Sequence, residues 1–288
     1  MRRAALASLM VSLLLVAIKA VAYFASGSVA MLASLADSAL DLFTSGLNMF
    51  AIHESLTPAD EEHRFGHGKA EPLAGLAQGA FIAASAIFLT VQAVQRLIAP
   101  QPIEHSLAAL IVMCVSIFAT ILLILYERRV MEKTGSVAVS ADAMHYAGDL
   151  VSNIGVVVAI LLVGWFNWLW ADPVIALGVV LVLAVSAWSV FRQSLDQLMD
   201  RELPDPDRSR IISIVHRHSE VLALHELRTR QAGVNIFIQV HIELDGAMPL
   251  AKAHAVSDQV EKDICAAFPH AEVIIHQDPA GLESVVHQ

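Results

Sequence analysis

Six apolar stretches, at about residues 4–24, 30–52, 72–97, 107–127, 138–164 and 172–195, fill the first two-thirds of this 288-residue chain. About 20 mostly apolar residues cross a bilayer as a helix. In hydrocarbon, a helix or a closed barrel is the only backbone that satisfies its own N–H and C=O groups. Residues 1–200 are therefore predicted to form an all-α membrane domain of six helices. The breaks between stretches carry turn chemistry: Ser26-Gly27-Ser28, Pro58, Pro100 with Pro102, Gly135-Ser136 and Asp172-Pro173. Composition agrees, with 56% hydrophobic residues and 16% charged, against roughly 25% charged in a soluble domain. Arg2 and Arg3 before the first stretch mimic a signal peptide, but further spans follow, so the stretch is read as a first membrane helix. The segment ahead of it is short, and no interfacial helix is expected there.

Lysine and arginine near the span ends set the orientation. Arg2, Arg3, Arg64, Lys69, Arg128, Arg129, Lys133, Arg192 and Arg201 fall on one side, and little beyond Lys19 and Arg96 on the other. The first side is read as cytoplasmic, which puts both termini in the cytoplasm of a cell bounded by a bacterial inner membrane. From residue 201 to 288 the pattern becomes that of a small soluble domain. A helix is expected at 206–219, strands at 223–231 and 234–244 with Ala232-Gly233 at the turn, a helix at 249–268 and a short strand at 272–276. This α-β-β-α-β order predicts a two-layer α+β domain. In the second strand Ile236, Ile238, Val240 and Ile242 share one face, and Phe237, Gln239, His241 and Glu243 the other.

Charges inside membrane spans are expensive and mark ion paths. Asp37 and Asp41 in the second span are four residues apart, as are His145 and Asp149 in the fifth, so each pair shares a helix face. Asn48 continues the first stripe; Asp142 and Asn153 extend the second. Two polar stripes that lipid would not tolerate should face each other. Asp37, Asp41, His145 and Asp149 then form a four-ligand tetrahedral site suited to a divalent transition metal, with Asp142 a weaker candidate nearer the cytoplasmic mouth. Polar glue between helices is the bland alternative, but it ordinarily uses hydroxyls and amides rather than three carboxylates. Empty of metal, the carboxylates repel one another, so protons compete with metal for the same atoms, and His145 adds a proton-carrying imidazole. Alternate exposure to the two sides would exchange metal for protons.

Two further clusters stand outside the spans. Asp60, His63 and His67 occupy a short loop with the spacing D-x-x-H-x-x-x-H, with Glu61 and Glu62 as substitutes; spacing alone leaves a solvated polar loop equally open. His225, His241, His254, His276 and Asp278 lie in the small domain, where adjacent strands could gather them into a binuclear site. His53, His105, His216, His218, His270 and His287 are read as surface, and Cys114 and Cys265 as small buried hydrophobes. The net charge of -10 argues against a nucleic-acid partner. Other function classes lack their motifs. His225-Glu226 has no second histidine to make H-E-x-x-H, and Gly66-His67-Gly68-Lys69 lacks the phosphate-loop spacing. A metal sensor would leave the intramembrane quartet without purpose.

The chain resembles the cation diffusion facilitator family. The likeness rests on Ser34-Leu35-Ala36-Asp37-Ser38-Ala39-Leu40-Asp41, on Pro58-Ala59-Asp60 through Gly66-His67-Gly68-Lys69-Ala70-Glu71, on Ala141-Asp142-Ala143-Met144-His145-Tyr146 with Asp149, and on Leu227-Arg228-Thr229-Arg230-Gln231 with Ile274-Ile275-His276-Gln277-Asp278-Pro279. The resemblance implies a homodimer with a metallochaperone-like cytoplasmic domain and metal/proton antiport by alternating access. It implies a transport site at Asp37, Asp41, His145 and Asp149, and a loop site at Asp60, His63 and His67. It further implies a binuclear dimer-interface site at His225, His241, His254, His276 and Asp278, and a charge interlock between Lys69 and Asp200. Zn2+ is the expected substrate and regulatory ligand. Family members with histidine at the first position look restricted to zinc, so Asp37 leaves Cd2+ and Fe2+ open.

Overall fold

A computed structural model of the chain describes residues 1–26, 29–98, 107–166 and 170–281. The turn residues Gly27, Ser28, Pro100 and Pro102, and the histidines His105 and His287, lie outside these. The chain divides into two compact units, Met1–Leu195 and Asp196–Gln288.

The first unit is built from α1 (Arg2–Ser26), α2 (Val29–Ser55), α3 (Ala70–Ile98), α4 (Leu107–Thr134), α5 (Val137–Phe166) and most of α6 (Ala171–Leu198). Segments of α1, α3, α4 and α6, at Arg2–Phe24, Ala70–Gln95, Ile111–Thr134 and Pro173–Leu198, are long and apolar enough by themselves to cross a membrane. The other two, α2 and α5, carry the acid pairs. Large side chains such as Phe43, Phe88, Phe118, Leu181 and Trp188 are exposed, as a lipid-facing surface requires. Between helices alanines pack against branched side chains. Ala4 and Ala5 of α1 meet Ile52 of α2 and Ala138 and Val139 of α5, and Ile82 and Ala86 of α3 meet Ala141 of α5 and Val179, Leu183 and Ala187 of α6. At Gly148 an added Cβ would stand 2.5 Å from Leu183 Cδ2, so a larger residue there would displace the Leu183 side chain where α5 meets α6.

Helix α4 runs seven residues past its expected end, because Arg128 to Thr134 continue the helix beyond the apolar stretch. Gly135, with φ +63°, stops it in the left-handed conformation that closes helix C-termini, and Gly135 N–H donates to Met131 O at 2.8 Å. Ser136 then caps α5, its Oγ accepting from Val139 N–H at 3.3 Å. The first turn of α5 has no acid of its own. Glu71 of α3, fully buried, supplies one: Ser136 Oγ donates to its Oε2 at 2.9 Å and the amides of Val137 and Ala138 donate to the same carboxylate. This fixes the end of the helix that bears His145 and Asp149.

The second unit holds α7 (Asp205–Val215), β1 (Ala223–Ala232), β2 (Asn235–Leu244), α8 (Leu250–Ala267) and β3 (Ala271–Pro279). The sheet order is β1-β2-β3, with β2 antiparallel to β1 and parallel to β3. Gly233, with φ +62°, makes the β1–β2 turn. Ile238, Val240 and Ile242 of β2 pack with Ile211, Ile214 and Val215 of α7 and Val260 and Ile264 of α8. The opposite face carries Phe237, with the Arg230 guanidinium 4.4 Å above its ring, and His241. Three details depart from the sequence reading: α7 stops at Val215, His218 pairs with Asp263 at 3.2 Å with its side chain mostly buried, and Cys114 is exposed rather than buried. Polarity explains two of these, since residues 216–219 offer no apolar side chain to extend α7 and His218 finds an acid; Cys114 lies on the lipid-facing side of an apolar helix.

Candidate metal centres

Helices α2 and α5 meet at one level of the bundle through their polar stripes. Asp41, His145 and Asp149 bring ligand atoms within 4.8 Å of one another. His145 Nε2 lies 3.2 Å from Asp41 Oδ1 and 3.7 Å from Asp149 Oδ2. His145 is 8% exposed. Two carboxylates and an imidazole converge on one point in an apolar bundle, as metal coordination requires. Asp37 does not join the group: it sits a turn farther along α2 and is exposed. Asp142 is also absent from it, being occupied with Gln78, whose Nε2 donates to Asp142 Oδ1 at 2.9 Å.

Sequence reasoning used Lys19 only to orient the chain. The structure buries it, 9% exposed, with Nζ donating to Ser38 Oγ at 2.7 Å and Ser34 O at 3.2 Å. The charges of Asp41, Asp37 and Asp149 all act on it. A lone lysine within a span should have signalled an acidic partner. Below the three ligands, Ser45 Oγ and Tyr146 Oη lie 2.8 Å apart and Ser45 Oγ is 2.9 Å from Ser8 Oγ. These bonds tie α1, α2 and α5 together beneath the site.

The loop between α2 and α3 folds around Asp60. Its Oδ1 accepts from the amides of Glu62 at 2.9 Å and His63 at 2.6 Å, a local side-chain turn. These amide bonds, that of His63 foremost, hold the Asp60 carboxyl below its ordinary range. His63 Nδ1 stands 3.3 Å from Asp60 Oδ1 and His67 Nε2 3.4 Å from Asp60 Oδ2, so Asp60, His63 and His67 form a second ligand group. Gly66, at φ +75°, turns the chain between the two histidines. The sequence reading named Glu61 and Glu62 as substitute ligands. The structure instead brings Glu54, from the end of α2, to 3.8 Å from His67 Nε2.

Strand register assembles the third group. His225 pairs across from His241, and His241 from His276, so one row spans all three strands. Asp278 reaches back into this row: His241 Nδ1 is 2.9 Å, and His225 Nε2 3.3 Å, from its Oδ2, and His276 Nε2 is 3.3 Å from its Oδ1. Of these, His225, His241 and Asp278 have mutually close ligand atoms. A bulge between His225 and Arg228, with Glu226 at φ +46°, turns the Glu226 carboxylate to 4.0 Å from His241 Nε2. Glu243 lies 3.4 Å from His225 Nδ1. Neither glutamate was anticipated as a site residue, although Glu243 shares a strand face with His241. His254, on α8, is outside the group, 71% exposed and 3.6 Å from Asp258. Asp200, at φ +54°, pairs with Arg230 at 3.4 Å.

Residues 5–199 match the family model of the cation efflux transmembrane domain, and residues 203–280 that of the cation efflux protein cytoplasmic domain. The chain is 42% identical to the cation-efflux pump FieF of Klebsiella pneumoniae over 286 residues, 99% of this chain and 95% of that one. It is 44% identical to the FieF of Shewanella oneidensis over 277 residues, 96% of this chain and 93% of that one. Among solved structures, the Zn form of CzrB is 31% identical, matching 30% of this chain and 98% of that one with a TM-score of 0.28. The metal-bound C-terminal domain of CzcD from Thermotoga maritima is 29% identical, matching 27% and 93% with a TM-score of 0.27.

Proposed function

The chain belongs to the cation efflux family, transporters and not enzymes, and from that premise we propose that it expels divalent transition-metal ions across the bacterial inner membrane in exchange for protons. The convergence of Asp41, His145 and Asp149 from two helices inside the membrane domain carries this reading. A site of two or three carboxylates and one imidazole takes borderline metals. Zinc is the first expected substrate, with cadmium and ferrous iron as alternatives. Alternating access moves the loaded site from one side to the other, and Asp37, a turn away on the same helix, completes the shell as α2 and α5 shift. Protons returning on the same oxygens and the imidazole reset the site. The chain works as a homodimer with both termini cytoplasmic. Metal bound at the row of His225, His241, His276 and Asp278, joined by His254, favours one dimer geometry and so shifts the population of transport states. The loop site of Asp60, His63 and His67 binds metal at the cytoplasmic end.

The test is uptake of Zn2+, Cd2+ and Fe2+ into proteoliposomes, with and without a pH gradient. Gradient-driven uptake that Asp149→Ala abolishes is expected. Uptake indifferent to the gradient would refute the exchange, and full transport by Asp149→Ala would refute the site.

A further inference from the structure

Below the metal ligands, toward the α5 N-terminus, lies a second buried polar group that the transport site does not use. Glu127 of α4 and Asp142 of α5 are each 1% exposed, and their carboxyls lie within hydrogen-bonding reach of each other. Glu127 Oε2 and Asp142 Oδ2 are buried with no donor among the described residues. Two buried amides stand nearby along the bundle. Gln78 of α3, 3% exposed, donates to Asp142 from Nε2 while its own Oε1 has no partner among the described residues. Asn48 of α2, 2% exposed, has neither Oδ1 nor Nδ2 paired among the described residues. Asn48 stands on the stripe of α2 that faces α5, between Ser45, which bonds Tyr146, and Ile52, which packs on Ala138 and Val139. That puts it at the level of Asp142.

Two ionised carboxylates facing each other out of water repel and stay unsolvated. A single proton shared between them turns the contact into an O–H···O⁻ hydrogen bond and removes one charge. The donor set argues against a transition metal here, because it offers two carboxylates and two amides but no imidazole or thiolate. The titratable groups acting on Asp142 are Glu127 from α4, and His145 and Tyr146 from its own helix; α2 and α3 present the amides of Asn48 and Gln78.

We propose that Glu127 and Asp142, flanked by Asn48 and Gln78, hold one proton between them as a proton-binding site separate from the metal site. Resting on the exchange reading above, this pair is a station for protons one turn from His145, on the side toward the α5 N-terminus.

The experiment is infrared difference spectroscopy of the protein in lipid vesicles at neutral pH, in H2O and D2O, with metal absent. A protonated-carboxyl C=O band that shifts in D2O is expected in the wild type. It should be lost in Glu127→Gln, where the new amide donates to Asp142 in place of the acid, and retained in Asp41→Asn. Asp142→Asn provides the same readout should Glu127→Gln fail to fold. A wild type without the band, or a band that survives in both variants, overturns the proposal. In proteoliposomes, Glu127→Gln should also shift the pH profile of uptake. A wild type that ignores the pH gradient but shows the band sinks the exchange reading alone; gradient-driven uptake without the band sinks this pair alone.

Discussion

Replacing Glu71 with alanine tests whether one residue of α3 seats the helix that carries two of the three candidate ligands. The Glu71 carboxylate is fully buried and accepts from Ser136 Oγ and from the first-turn amides of Val137 and Ala138. Truncation strands these donors in the protein interior. A buried donor left without its acceptor costs about 1–3 kcal/mol, and loss of an anion at a helix N-terminus about 0.3–1 kcal/mol. Water entering the vacated space recovers part of this, so a net loss of roughly 2–5 kcal/mol follows from the three donors. At roughly 2–4 °C per kcal/mol for a domain of this size, the melting temperature should fall on the order of 5–15 °C. The assay is thermal unfolding in detergent at one fixed heating rate, since unfolding of such a protein is governed by its rate. Glu71→Gln keeps one acceptor oxygen without the charge and should fall between wild type and alanine. Because the α5 N-terminus frays, Cd2+ affinity at Asp41, His145 and Asp149 should fall in Glu71→Ala as well. An alanine variant that melts within about 2 °C of wild type, or a glutamine variant less stable than alanine, would refute the capping argument.

Two other outcomes are expected. His241→Ala removes the central member of the three-strand row. It should weaken metal binding by the cytoplasmic domain by more than about tenfold, the effect that even a second-layer change produces at metal sites, and slow vesicle uptake without stopping it; calorimetry and uptake together check the split, and a variant that folds yet transports nothing contradicts it. At the loop site, Asp60 is held ionised below the usual carboxylate range. Its charge is therefore still present as pH falls from about 7 to 5, and would be lost only in stronger acid. Over that range the Asp60 carboxylate remains a charged ligand for Cd2+. Titration of Cd2+ at pH 7 and pH 5, in a background lacking Asp149 and His241, should give Asp60→Asn a weaker site at both; a variant that binds Cd2+ as tightly as its background would disprove the assignment.

Periodicity and cost made much of this molecule readable in advance. Six apolar stretches at membrane length gave α1 to α6, and the facing of the α2 and α5 stripes followed from the expense of charge in lipid. Alternation along β2 separated the Ile238–Val240–Ile242 face from the His241 face. What stayed hidden were partners joined by tertiary contact. Nothing in the local sequence says that Glu71 caps a helix 65 residues away, that Glu54 reaches His67, or that a bulge swings Glu226 toward His241. Lys19 and Glu127 were visible as charges in apolar helices, but with no neighbour at helical spacing their acidic partners came only from packing. Asp37 shows the converse: correct spacing put it on the face of Asp41 without bringing it into the ligand group of this conformation.

The row His225–His241–His276 depends on strand pairing to the single residue. Because side chains alternate along a strand, sliding β3 by one position against β2 would turn His276 and Asp278 toward α7 and α8 and bring Ile275 and Gln277 out. Both the oily layer and the imidazole cluster would fail together. An ion that took ligands from β1, β2 and β3 together would therefore be held only when the three strands are threaded in the correct alignment.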